Sequence, residues 1–404
     1  MINKKLAEIP IVVESVREAS PFDNPRATSA RAVTSHKGAD SAITNEPYIP
    51  INKGHFDLEP ADRALAFSEK LGRGWESDYS EYRRLWEELP LNKEVRDYPL
   101  LVDLEMSSRC NLKCPMCPTV TDEFIEKRVT PFKRGAMDFA LAKKIIDEIA
   151  GKVYSLRLSW VGEPLLNKKF VDIVRYAKEK GIREVSFLTN GTKLNPEYFR
   201  KVAEAGADWI TISVDGMGET YNRIRAPLRF DDTLEKIRSI KRYKDERKLE
   251  KPLIKIQGVW PAVRENPEDF YNTLAPIVDL VAFNPLIDYL HKDVDVVYEK
   301  NFSCPQYYQR LVIASNGDAA MCSNDDNVSV PVGNAFEQTI HQIWHGEKMQ
   351  RLREIHAKRN GFKEIGACAR CYYPRKTVLD ETANINGREI RIENYVNRKQ
   401  SVGQ

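Results

Sequence analysis

Ser107-Ser108-Arg109-Cys110-Asn111-Leu112-Lys113-Cys114-Pro115-Met116-Cys117-Pro118 sets three cysteines within eight positions, spaced C-x3-C-x2-C. The stretch directly follows Leu100–Met106, a short apolar run that reads as a strand. Three thiolates on one tight loop bind one face of a metal centre and leave a fourth position open. A catalytic centre needs that opening, whereas structural zinc closes its shell with a fourth Cys or His. The chain has six histidines, and none falls between His55 and His291. The ligand set therefore fits a [4Fe–4S] cluster with one iron not held by cysteine.

Downstream of this loop, strand and helix patterns alternate. Strands are expected over Leu100–Met106, Ser155–Trp160, Glu184–Thr189, Trp209–Val214, Leu253–Val259 and Leu280–Asn284. Helices are expected over Phe139–Ala150, Lys168–Lys180, Pro196–Ala205, Phe230–Lys248 and Pro267–Ile277. Repeated βα units favour a parallel sheet with right-handed crossovers, hence an α/β fold. Six strands are too few for the closed eight-stranded barrel. Periodicity alone leaves an open doubly wound sheet and an incomplete barrel both standing.

Further polar segments stand at the expected C-terminal ends of these strands, where barrel active sites are built. Trp160-Val161-Gly162-Glu163-Pro164 follows the second strand, Thr189-Asn190-Gly191-Thr192 the third, and Ser213-Val214-Asp215-Gly216 the fourth, with Arg225 shortly after. Taken singly, each reads as a turn. Taken with the cysteine loop, they resemble the radical S-adenosylmethionine (radical SAM) superfamily over about residues 97–375. One departure is Met116, where many members carry an aromatic residue; methionine's polarizable sulfur also packs against rings.

The resemblance implies a partial (β/α)6 TIM-like barrel. It implies that Cys110, Cys114 and Cys117 hold a [4Fe–4S] cluster whose open iron chelates S-adenosylmethionine. Reductive cleavage then yields a 5′-deoxyadenosyl radical that abstracts a substrate hydrogen, with a flavodoxin- or ferredoxin-type protein as reductant. Gly162 is expected to let the backbone approach the methionine amine, and Glu163 to balance its charge. Asn190, Ser213 and Asp215 fall where the family contacts the carboxylate and ribose. Arg225 resembles an arginine that pairs a carboxylate.

The remaining cysteines form a second set. Cys304 and Cys322 are separated by 17 residues, Gly317 to Cys322 gives G-x4-C, and Cys368-Ala369-Arg370-Cys371 follows after 45 more. Four thiolates complete either a zinc or a [4Fe–4S] site, and chemistry alone favours zinc. Resemblance to radical SAM enzymes with a C-terminal SPASM or twitch domain reverses this preference. It implies one fully ligated auxiliary [4Fe–4S] cluster. A closed cluster offers no binding position, and its useful property is to accept or relay one electron. That role accompanies net oxidation.

These assignments use all seven cysteines, which disfavours an epimerase that quenches its substrate radical from a free thiol. The expected reaction is dehydrogenation of a sugar, aminocyclitol or nucleotide-sugar. Asp288, Tyr289 and His291, just past the last barrel strand, are candidate bases for the hydroxyl proton. The alternatives are a SPASM-type maturase acting on a ribosomal peptide and a radical SAM epimerase. Against the maturase, residues 1–95 carry no clear hairpin signal for leader binding.

The whole chain sets the bounds. It has 404 residues, 42% hydrophobic and 30% charged, with a formal net charge of +3. That near-neutral balance argues against a dedicated nucleic-acid binder. The absence of a long apolar run and of a signal peptide points to a cytoplasmic protein with no membrane partner. The expected organisation is an extension over 1–95 with short helices, a core barrel over 96–295, an auxiliary-cluster domain over 296–376, and a polar tail over 377–404.

Overall fold

The computed structural model describes residues 47–51, 53, 56–122, 124–125, 135–285, 293–398 and 402. The extension supplies β1 (Phe56–Asp57), α1 (Ala61–Gly72) and α2 (Glu76–Asn92). The βα units follow as β2 (Leu101–Leu104), α3 (Phe139–Ile149), β3 (Ser155–Arg157), α4 (Phe170–Glu179), β4 (Glu184–Thr189) and α5 (Pro196–Glu204). They continue as β5 (Trp209–Ser213), α6 (Gly218–Ile224), α7 (Phe230–Glu246), β6 (Leu253–Val259), α8 (Trp260–Val263), α9 (Pro267–Leu274) and β7 (Leu280–Asn284). All six expected strands are present, shortened by up to three residues.

The strand order runs β1-β7-β6-β5-β4-β3-β2-β8-β9-β10, and β2 to β7 are neighbours in chain order, parallel throughout. A doubly wound sheet reverses its direction at a switch point; over β2 to β7 this one does not. With right-handed crossovers the helices all fall on one face and the sheet curls toward a barrel. The choice left open by periodicity thus goes to the partial barrel. Among the described residues it stays open: β1 pairs antiparallel with β7, and β8 lies parallel beside β2.

Local sequence explains the helix starts. Asp138 caps α3, and its buried Leu141, Ala142, Ile145, Ile146 and Ile149 keep one face on the sheet. Asn195 caps α5, with Pro196 in the first turn. In the extension, α2 buries Tyr82, Leu85, Trp86 and Leu89, which fall at helical spacing on one face. The fully buried Glu59 carboxylate fastens this extension to β7, accepting from the Val281 amide (2.7 Å), the Tyr271 hydroxyl (2.9 Å) and Arg63 Nε (2.6 Å).

Beyond residue 295 come α10 (Gln306–Gln309), β8 (Arg310–Ile313), β9 (Asp318–Ala320) and β10 (Pro331–Asn334). After them lie α11 (Ile340–Trp344), α12 (Glu347–Ala357) and α13 (Gly366–Arg370). Because β8 pairs with β2, the main sheet runs into this region without a break.

The stretch 377–404, expected as a polar tail, requires correction. Residues Thr377–Ile385 (β11) and Arg388–Tyr395 (β12) form an antiparallel hairpin. Asn386 and Gly387, both at positive φ, make its two-residue turn. Ile385, Ile390 and Ile392 are buried beneath it. The alternation of these isoleucines with charged residues was masked by the high overall polarity. No helix among the described residues is long and apolar enough to cross a membrane.

Candidate active site and cysteine centres

The three-cysteine loop leaves the C-terminal end of β2 and packs on a small apolar cluster of Leu112, Cys114, Met116, Ile224 and Ala262. Val402 from the chain terminus also packs there. The Leu112 amide donates to Cys110 Sγ at 3.5 Å, and Asn190 Nδ2 donates to the same sulfur at 3.7 Å. Cys117 Sγ lies 3.1 Å from Thr119 Oγ1. Burial pushes the Cys110 thiol up, and it pushes Cys114 up to about 11, with the neighbouring thiols adding to both. All three are free of disulfides. Three thiols on one loop, Cys114 buried and the other two partly so, with Cys110 already met by N–H donors, fit a metal cluster, whose binding displaces their protons.

The polar segments after β3, β4 and β5 close around this loop. Gly162 sits at φ +78°, where a Cβ would come within 2.3 Å of the Ser107 carbonyl oxygen and 2.8 Å of the Arg109 carbonyl oxygen. The glycine therefore makes a close approach to the cysteine loop's own backbone. The next amide, of Glu163, donates to the Arg109 carbonyl at 2.8 Å. The buried Glu163 carboxylate accepts from the Leu165 amide (3.1 Å), the Asn190 amide (2.7 Å) and the Thr189 hydroxyl (2.6 Å). Burial nonetheless raises its pKa. Three of its roughly four lone-pair directions are thus used within the chain.

Asn190 reaches the loop through Asn111 Oδ1 (2.9 Å) as well as Cys110, while its own oxygen accepts from the Thr192 amide (2.9 Å) and hydroxyl (2.7 Å). Ser213 is buried at the end of β5. Asp215 Oδ2 accepts from Arg225 Nε at 2.7 Å, and its other oxygen accepts from the Val259 amide at 3.0 Å. Burial opposes the Arg225 charge, but Asp215 and Cys114 hold its pKa above the usual value. Arg225 does pair a carboxylate here, that of Asp215. The structure brings Gly162, Glu163, Asn190, Asp215 and Arg225 to one end of the sheet with the cysteines; Asp288, Tyr289 and His291 lie outside the described residues.

The second cysteine set converges as well. Cys304, Cys322, Cys368 and Cys371 line one cavity together with Phe302, Tyr307, Met321, Asn324, His356 and Tyr373. Burial raises all four thiols, Cys368 to about 12. The Tyr307 hydroxyl lies 3.6 Å from Cys368 Sγ, Asn324 Nδ2 donates to Cys371 Sγ at 3.7 Å, and the Tyr373 amide donates to the same sulfur at 3.5 Å. Four thiols around one space, Cys371 partly exposed and the other three buried, with N–H donors at Cys304 and Cys371, fit a closed cluster. Trp160 Nε1, in the segment before Gly162, donates to the Ser323 carbonyl at 2.8 Å, tying the barrel end to the residue after Cys322. Sequence reasoning missed Asn111, Tyr307, Asn324 and His356. Asn111 was visible between two cysteines; the others come together only through tertiary packing.

A model of the radical SAM superfamily matches residues 104–258, and a model of an iron–sulfur cluster-binding domain, SPASM, matches residues 304–372. The tungsten-containing aldehyde ferredoxin oxidoreductase cofactor-modifying protein of Pyrococcus furiosus is 30% identical over 267 residues, covering 63% of this chain and 72% of that protein. The Fe-coproporphyrin III synthase of Methanosarcina barkeri is 32% identical over 151 residues, 37% of this chain and 36% of that protein. Among solved structures, BtrN in complex with AdoMet and 2-DOIA covers 68% of this chain and 92% of its own, at 20% identity and a TM-score of 0.46. Streptococcus suis SuiB bound to S-adenosylmethionine covers 78% and 84%, at 14% identity and a TM-score of 0.47.

Proposed function

Since the chain belongs to the radical SAM superfamily and carries a SPASM domain, with [4Fe–4S] clusters and S-adenosylmethionine as its cofactors, we propose that it is an oxidoreductase that dehydrogenates a small, carbohydrate-like molecule. The observation that carries this reading is the second cysteine set, with four thiols around one buried cavity. When bound, the cofactors supply hydrogen abstraction at one centre and electron acceptance at the other.

The residues of the chain have the following parts. Cys110, Cys114 and Cys117 hold the cluster that keeps an open position; Cys304, Cys322, Cys368 and Cys371 hold the closed one. Asn190 orients the Cys110 sulfur and carries strand β4 to the loop. Gly162 admits the backbone of its segment against that loop, and Glu163 fixes the strand ends beside it. The Asp215–Arg225 pair places a balanced charge near Cys114. A flavodoxin- or ferredoxin-type protein supplies the electron. Among the seven cysteines none is left to return hydrogen, which counts against epimerisation.

A second reading draws on the relatives' names, which speak of cofactor modification and Fe-coproporphyrin synthesis. By that analogy the substrate is a cofactor precursor. The test is an anaerobic assay with S-adenosylmethionine and a chemical reductant against sugars, aminocyclitols, nucleotide-sugars, cofactor precursors and short peptides. Formation of 5′-deoxyadenosine with a small-molecule product two hydrogens lighter supports dehydrogenation. A substrate turned over with no net oxidation, or a cross-linked peptide, overturns it.

A further inference from the structure

His356 lies in the last turn of α12, is 1% exposed, and neither of its ring nitrogens has a hydrogen-bond partner among the described residues. Burying an unsatisfied polar group costs on the order of 1–3 kcal/mol, and native interiors seldom leave one without a reason. The ring packs against Tyr307 (centroids 4.7 Å apart) and Phe302 (6.2 Å). Both of those side chains, and His356 itself, line the cavity of the second cysteine set. The unpaired imidazole thus borders the space that Cys304, Cys322, Cys368 and Cys371 surround.

We propose that His356 donates a ring N–H to a sulfur of the cluster held by these four cysteines and thereby raises its reduction potential. The inference rests on reading the second set as a [4Fe–4S] site. Four thiolates satisfy the four irons, so the imidazole has no iron to bind and acts as a donor. Within the chain the Tyr307 hydroxyl faces Cys368, Asn324 and the Tyr373 amide donate to Cys371, and the Gln306 amide meets Cys304. His356 adds to these a donor that no bond among the described residues consumes. Reduction adds negative charge to the cluster, and an N–H aimed at its sulfur stabilises that state. An acceptor made easier to reduce is what an oxidation needs from this centre.

The test uses the full chain carrying Cys110→Ala, Cys114→Ala and Cys117→Ala, so that only the second cluster remains. Its potential is measured by EPR-monitored redox titration, with and without His356→Phe, which keeps an aromatic ring and removes the N–H. The expected result is unchanged iron content and an approximately tenfold smaller equilibrium constant for reduction, ~59 mV for one electron. His356→Asn, which retains an N–H, should recover part of the loss. In the histidine-bearing protein labelled with 15N-histidine, electron–nuclear double resonance should detect a histidine nitrogen weakly coupled to the reduced cluster, whether or not the phenylalanine variant folds.

An unchanged potential at full iron content, or no such coupling, overturns the role of His356. So does a directly bound nitrogen seen after 15N-histidine labelling. No iron in the histidine-bearing triple variant overturns the cluster reading itself, and the two failures are thereby distinguished.

Discussion

Gly162 shows how little room the site leaves at the residue scale. An added Cβ would meet two backbone carbonyl oxygens, and backbone cannot swing aside as a flexible side chain can. Gly162→Ala should therefore displace the cysteine loop, with a loss of roughly 2–4 kcal/mol in stability. It should also sharply reduce iron in the first centre while the second stays loaded; thermal melts and iron assays check both. The motif was legible in sequence, but the expected reason was approach to S-adenosylmethionine. The contact with Ser107 and Arg109 could be found only in three dimensions. Asn190 is similar: its strand-end place was readable, its N–H to the Cys110 sulfur was not. Asn190→Ala should leave the fold intact and slow cleavage of S-adenosylmethionine about tenfold, the order expected from loss of a group beside a metal ligand. An unchanged rate would show that this hydrogen bond plays no part.

Among elements, the strands and helices of the βα units were legible because each is apolar on its buried side and bounded by turn residues. The hairpin β11–β12 was also written in the sequence, as Asn386-Gly387 between alternating isoleucines. Global polarity hid it, since only one face of this ribbon is buried. Ile392→Ala removes a fully buried side chain from it and should cost about 2–4 kcal/mol, measured by denaturant unfolding. On β4, Glu184 is buried and accepts from the Ser155 hydroxyl at 2.8 Å. Burial is the largest influence on its pKa, which is raised. Between its unfolded and folded pKa values the folded state binds more protons than the unfolded one. Stability therefore falls as pH rises through that window. Glu184→Gln keeps an acceptor for Ser155 and should remove this fall in melting temperature above about pH 4.5; a slope equal to that of the wild type would contradict the assignment.

At the scale of the whole molecule, the order of the strands decides the architecture, and that order was not legible in local pattern, although the family resemblance implied it. Local pattern says where strands lie, whereas the direction of each crossover is set by packing across the sheet. Nor did the sequence tell that β8 would extend the sheet beside β2 and carry the second cysteine set into contact with the barrel end. The cysteine spacings alone told that two centres exist, because thiolate clusters impose their spacing on the chain.

The proposed oxidation requires that the chain hold two iron–sulfur centres, an open one and a closed one. The most direct measurement is iron and sulfide content, with EPR, after anaerobic reconstitution of the wild type and of the variant lacking Cys110, Cys114 and Cys117. The account predicts about eight irons per chain falling to about four, with the remaining signal insensitive to S-adenosylmethionine. About four irons falling to none would contradict it, leaving the second set to zinc or to free thiols and removing the electron acceptor on which the oxidation depends.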